Sequence, residues 1–124
     1  MMDRERFEQL TREAFEDLPE HLSRRMENVV LIVEDYPGGE ISRTMGAGKN
    51  GFLLGLYEGI PLSRRGTHYG ASPVIPDKIS LFQKNIERVA HGETEIAAKI
   101  KEVLIHEIAH HFGMNEKEIR DAGY

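Results

Sequence analysis

Residues 93–112 set the strongest limit on what this chain can fold into. Ala97, Ile100, Leu104, Ile108 and Phe112 recur at three- and four-residue spacing, and Val103, Ile105 and Ala109 carry the apolar stripe well round the cylinder. A helix apolar on most sides belongs in a core, so the rest of the chain must wrap it. Its last turns nevertheless carry polar groups: His106-Glu107-Ile108-Ala109-His110-His111-Phe112-Gly113-Met114-Asn115-Glu116. On an enclosed helix an unpaired polar group costs roughly 1–3 kcal/mol. Metal ligation, or a cleft open to water, relieves that cost.

The pattern is H-E-x-x-H followed by x-x-G-x-x-E. Two histidines four residues apart lie one above the other on a helix, and both imidazoles can reach one tetrahedral Zn²⁺ at ~2.0–2.1 Å. Glu107 stands about 100° round the helix, placed for a water on the open side of the metal rather than for the metal itself. Gly113 can end the helix, because glycine takes left-handed backbone angles at little cost. The turn then lets Glu116 swing back as a third ligand. Two His and one carboxylate leave a fourth position for water, the pattern of a catalytic zinc site. Glu118, two residues further on, is a rival third ligand. The bland alternatives are the solvated end of an ordinary helix, or the same fold with a degenerate site that holds no metal.

Ahead of this helix the patterning alternates between helix and strand. Residues 3–17 place Phe7, Leu10, Ala14 and Phe15 at helical spacing, with Leu18 just beyond and Pro19 stopping that helix or opening the next over 19–27. Residues 28–34 are apolar and β-branched, which predicts a buried strand ended at Tyr36-Pro37-Gly38-Gly39. Residues 52–59 predict a second strand, in which Gly55 marks a bulge or a close approach. Residues 78–82 alternate and predict a third strand. A helix follows from Gln83 to Ala90, ending at Gly92. Residues 115–121 predict one last helical turn or two, with Asn115 as N-cap. Gly46-Ala47-Gly48-Lys49-Asn50-Gly51 lacks phosphate-loop spacing, since Asn50 stands where a hydroxyl residue is required; it predicts a loop, as do residues 60–74.

Composition narrows the function classes. The chain of 124 residues suits one domain, and 40% hydrophobic with 30% charged residues describes a soluble globular protein. A net charge of −5 argues against nucleic acid or an anionic membrane surface as partner, and Arg24-Arg25 and Arg64-Arg65 are isolated pairs rather than a basic face. Cysteine is absent, which rules out disulfides and thiolate ligands and suits a cytoplasmic location. The charged start lacks the apolar stretch of a signal peptide, and no apolar run approaches the ~20 residues needed to span a bilayer.

On these residues the chain resembles the small bacterial zincin-like metallopeptidase family. Leu54-Gly55-Leu56-Tyr57-Glu58-Gly59-Ile60-Pro61-Leu62 is similar to that family's central strand and turn. Pro76-Asp77-Lys78-Ile79 and Phe82-Gln83-Lys84-Asn85-Ile86-Glu87-Arg88 resemble its third strand and following helix. The resemblance covers most of residues 28–120. It implies an α+β minimal zincin over 1–124, a small twisted mixed sheet of about three strands beside a central active-site helix. It also implies His106, His110 and Glu116 as zinc ligands, with Glu where the family commonly has Asp, and Glu107 as general base.

The expected function is therefore a zinc-dependent metallopeptidase acting on a peptide or unfolded protein. The alternatives are a catalytically inactive zincin scaffold that binds a peptide or protein partner, and a metal-dependent hydrolase of a non-peptide substrate. Tyr57, His68, Tyr69 and Tyr124 are candidate donors to an oxyanion. The strand over 52–58 is a candidate edge for aligning an extended peptide. His111 points about 100° away from His110 and suits a surface or supporting role, and His21 and His91 are expected to be solvated.

Overall fold

Helix α1, Arg4–Glu16, starts where the Asp3 side chain accepts the Arg6 backbone N–H at 2.8 Å, a cap that satisfies one of the unpaired first-turn donors. The computed structural model describes residues 2–39, 52–59 and 76–124. Pro19 caps a single-turn helix α2, Glu20–Ser23, and the chain then enters strand β1, Val29–Glu34. Strand β2, Gly55–Glu58, and strand β3, Asp77–Phe82, complete the described sheet. Three helices end the chain: α3, Gln83–Val89; α4, Gly92–His111; and α5, Glu116–Asp121. The glycine-rich segment around Lys49 and the 60–74 loop, with His68 and Tyr69, lie outside the described residues.

The sheet has order β1-β3-β2. Strand β1 runs parallel to β3, from Val29 opposite Asp77 to Glu34 opposite Phe82, and β2 runs antiparallel to it, from Gly55 opposite Leu81 to Glu58 opposite Lys78. The architecture is α+β: a small mixed sheet packed against helices, with α1 and β2 both lying along α4. Phe7 and Leu10 of α1, Ile79 and Leu81 of β3, and Ile100, Leu104 and Ile108 of α4 form the core.

Two strands differ from their sequence reading in where they sit. The apolar run of β1 predicts a buried strand. It is half-buried instead, with Val30 39% exposed, because among the described residues it is an edge of the sheet. Strand β3, whose alternation predicts one wet face, is the central strand. Its Ser80 is buried along with Ile79, Leu81 and Phe82, since neighbours pair on both sides. Ile96 joins the buried stripe of α4. Phe112, placed in that stripe by spacing, lies 36% exposed at the helix end with the Arg25 guanidinium 4.9 Å over its ring. No described helix is long and apolar enough to cross a membrane.

Candidate active site

The last turns of α4 are ended by backbone geometry that a glycine makes possible. Gly113 takes φ +89°, the left-handed region, and donates to the His110 carbonyl at 2.9 Å, while the Met114 N–H reaches back to the Ala109 carbonyl at 3.0 Å. This pair of bonds is the Schellman closure of a helix, and it satisfies carbonyls that the helix leaves open. The chain reverses, and Asn115 opens α5 with a capping box: its side chain accepts the Glu118 N–H at 2.9 Å, and the Glu118 carboxylate accepts the Asn115 N–H at 3.2 Å.

That box separates the two candidate carboxylates. Glu118 is engaged at its own helix start. Glu116, one position into α5, turns toward α4, and its Oε1 lies 2.9 Å from His110 Nε2. The contact with His110 holds the Glu116 carboxyl below its ordinary range, aided by the nearby charges of His106 and Arg120 and opposed by desolvation.

His110 is bracketed by oxygens. Its Nδ1 lies 3.0 Å from the Met114 carbonyl oxygen, and its Nε2 faces Glu116. A neutral imidazole carries only one N–H. Two hydrogen bonds to acceptors therefore need the imidazolium; with the single proton on Nδ1, the Nε2 lone pair and the carboxylate need a cation to share. A ring whose far nitrogen donates to a backbone carbonyl is the usual setting of a metal-ligating histidine.

Glu107 sits deeper. Burial pushes its carboxyl above the ordinary carboxylate range, while a hydrogen bond from the Tyr57 backbone and the nearby His110 partly offset the rise. The Tyr57 N–H donates to Glu107 Oε1 at 3.2 Å. Strand register explains why that N–H is turned toward α4. Phe82 donates to the Leu54 carbonyl at 3.0 Å, so alternate residues of β2 bond to β3 and the main-chain groups of Gly55 and Tyr57 face the other way. Gly55 lets the strand come this close: a Cβ there would meet Val103 Cγ1 at 2.6 Å and the Ser80 carbonyl at 3.0 Å. The glycine marks a close approach, one of its two sequence readings.

His106, Glu107, His110 and Glu116 line a single cleft of about 600 Å³ together with Phe52, Leu53 and Arg120. In kind the donors suit a divalent metal: two imidazoles and a carboxylate beside a buried acid. They are not drawn to one point. The His106 and His110 rings stand perpendicular with centroids 6.4 Å apart, and among the described residues no three such side chains are grouped as ligands.

The other candidates fall elsewhere. The Tyr57 hydroxyl donates to Asp77 at 2.7 Å and the Tyr124 hydroxyl pairs with His21 at 3.0 Å, so neither side chain turns into the cleft. His111 stacks on the Tyr57 ring at 3.9 Å and supports the strand that holds Glu107. His91 is exposed, as is His21 beside Tyr124. Sequence reasoning missed the Tyr57 amide, for which no local pattern exists, and Arg120, which stands four residues after Glu116 and could have been found by that spacing.

The profile of the zincin-like metallopeptidase family matches residues 26–124. No curated protein matches the chain. A solved structure of a conserved hypothetical protein from Thermo thermophilus is similar in fold, with 23% identity and a TM-score of 0.54 over 89% of this chain and 94% of that one. The matched span takes in the three described strands, the helix that carries both histidines and the turn to Glu116: the chain belongs to the zincin-like metallopeptidase family.

Proposed function

We propose that the protein is a zinc-dependent peptidase in which His106, His110 and Glu116 hold the ion and Glu107 is the general base. The observation that carries this reading is the meeting of all four side chains in one cleft, with burial raising the carboxyl of Glu107. Membership of a metallopeptidase family supports it. The bound ion would supply Lewis-acid polarisation of a peptide carbonyl and a lowered pKa for the attacking water.

The chain's own groups do the rest. Glu107 Oε1 stays on the Tyr57 N–H, which leaves Oε2 to take a proton from water and pass it to the departing amine. A carboxyl raised by burial is the stronger base for that work, since its pKa moves toward the operating pH. The Met114 carbonyl fixes the His110 tautomer and aims Nε2 into the cleft. Strand β2, an edge among the described residues, offers the Gly55 main chain to an extended peptide.

The test is Glu107→Gln beside His110→Ala. Glu107→Gln should retain stoichiometric zinc by elemental analysis and lose roughly 10²–10⁴-fold in peptide hydrolysis, the usual contribution of a general base. His110→Ala should lose the zinc. Unchanged turnover in the first, or full zinc in the second, refutes the assignment. The His110–Glu116 pairing, which engages two of the three proposed ligands with each other, favours one second reading: a zincin scaffold that binds a peptide or protein without cleaving it. In that case wild type and Glu107→Gln bind peptides alike and neither cuts them.

A further inference from the structure

Arg120 brings a positive charge into the cleft, felt by the Glu116 carboxyl. Helix α5 is held at three points: the capping box at Asn115, the fully buried Ile119, and a second Schellman closure in which Gly123 takes φ +87° and the Tyr124 N–H reaches the Ile119 carbonyl at 3.1 Å. With Ile119 anchored in the core, the roll of the helix is fixed. Residues four apart share a helix face, so Arg120 stands directly behind Glu116 along the same wall. It lines the cleft, yet it forms no ion pair with any described residue. Lys99, which also lines the cleft, differs, being paired to Glu102 at 2.8 Å.

Resting on the zinc-peptidase reading, we propose that Arg120 is a specificity-determining residue that takes a carboxylate of the substrate. A guanidinium presents a planar fork that matches a carboxylate with two parallel hydrogen bonds. Once the Glu116 charge is committed to an ion, the other carboxylates of the cleft are Glu102, paired to Lys99, and Glu107, held by the Tyr57 N–H. The same cleft is lined by the apolar side chains of Phe52, Leu53, Leu54 and Val103. Such a site takes an apolar residue next to an anionic group. A chain of net charge −5 repels anionic peptides at long range, so a preference for them has to come from a local contact. The carboxylate has two possible sources, the C-terminus of a peptide or an Asp or Glu side chain within it.

The experiment measures binding by calorimetry on zinc-loaded Glu107→Gln protein with acetylated peptides of one apolar sequence. The first ends in a free carboxylate, the second in an amide, and the third ends in an amide but carries Asp beside the apolar residue. One carboxylate form should bind about tenfold more tightly than the neutral amide, a charge-assisted bidentate contact partly screened by water. The tighter of the two identifies the source. Adding Arg120→Gln should bring all three to within about twofold of each other, and Arg120→Lys should recover part of the preference, since a lysine keeps the charge and loses the fork. Equal affinity for all three peptides, no binding of either carboxylate form, or a preference that survives Arg120→Gln and so belongs to the ion itself overturns the proposal. Failure of the underlying reading looks different: wild type and the Arg120→Gln single variant then cleave none of the peptides, while the binding comparison still reports on Arg120.

Discussion

Glu107 is held by opposing influences. Burial raises its carboxyl, and one backbone N–H together with a neighbouring imidazole pulls it back. The net rise fixes the sign of a pH effect. Between the ordinary value of 4.5 and the raised one, the folded state binds more protons than the unfolded state, so this group's contribution is fully present below 4.5 and lost as pH rises through the window. In metal-free protein at neutral pH the buried charge is a burden that glutamine does not carry. Metal-free Glu107→Gln should therefore unfold at a higher temperature than wild type at neutral pH. The gap should close near about pH 3.5, where the carboxyl is protonated in both states. Thermal unfolding at the two pH values checks this; equal midpoints at neutral pH would show that the group is not desolvated. That both histidines and Glu116 would face one cleft was legible in the sequence, because helix pitch and one glycine fix their spacing. The Tyr57 amide was not, because its partner lies 50 residues away and only the strand register turns it there.

At the scale of elements, the turn between α4 and α5 sets the distance from His110 to Glu116. Gly113→Ala forces a Cβ into the left-handed region, at about 1 kcal/mol, and strains the turn whatever the surrounding space. Denaturant unfolding should register that loss. A zinc titration should show weaker binding than wild type, because the carboxylate of α5 is displaced relative to α4. Undiminished zinc affinity would mean that Glu116 is not a ligand. The same turn was readable from Gly113 and Asn115, two residues whose backbone preferences act locally. Strand positions were less so: the run Val29-Val30-Leu31-Ile32-Val33 looks alike whether a strand is central or at an edge, and only its neighbours decide. Ser80, polar by type, lies buried in the central strand for the same reason.

For the whole molecule, the decisive packing is β2 laid against α4. Gly55→Val should destabilise the fold by roughly 1–3 kcal/mol, since the added methyls meet Val103 and the β3 backbone. Val103→Ala should relieve part of that loss in the double variant, as a double-mutant cycle in urea would measure; strict additivity would place the clash elsewhere. The resemblance pointed to the α+β class, and the family profile and the solved structure agree with it.

The reach of the chain differs for the two halves of the proposed chemistry. His106, His110 and Glu116 fall within eleven consecutive residues, joined by one helix end and one turn, whereas the setting of Glu107 is supplied by a strand from the far side of the sequence. On the proposed reading, capture of the ion would be encoded in a short local stretch, and reactivity would be a collective property of the assembled protein. A molecule whose sheet has loosened from the helix would then keep its grip on the ion and fall silent as a catalyst, because the strand that sets Glu107 would have left it.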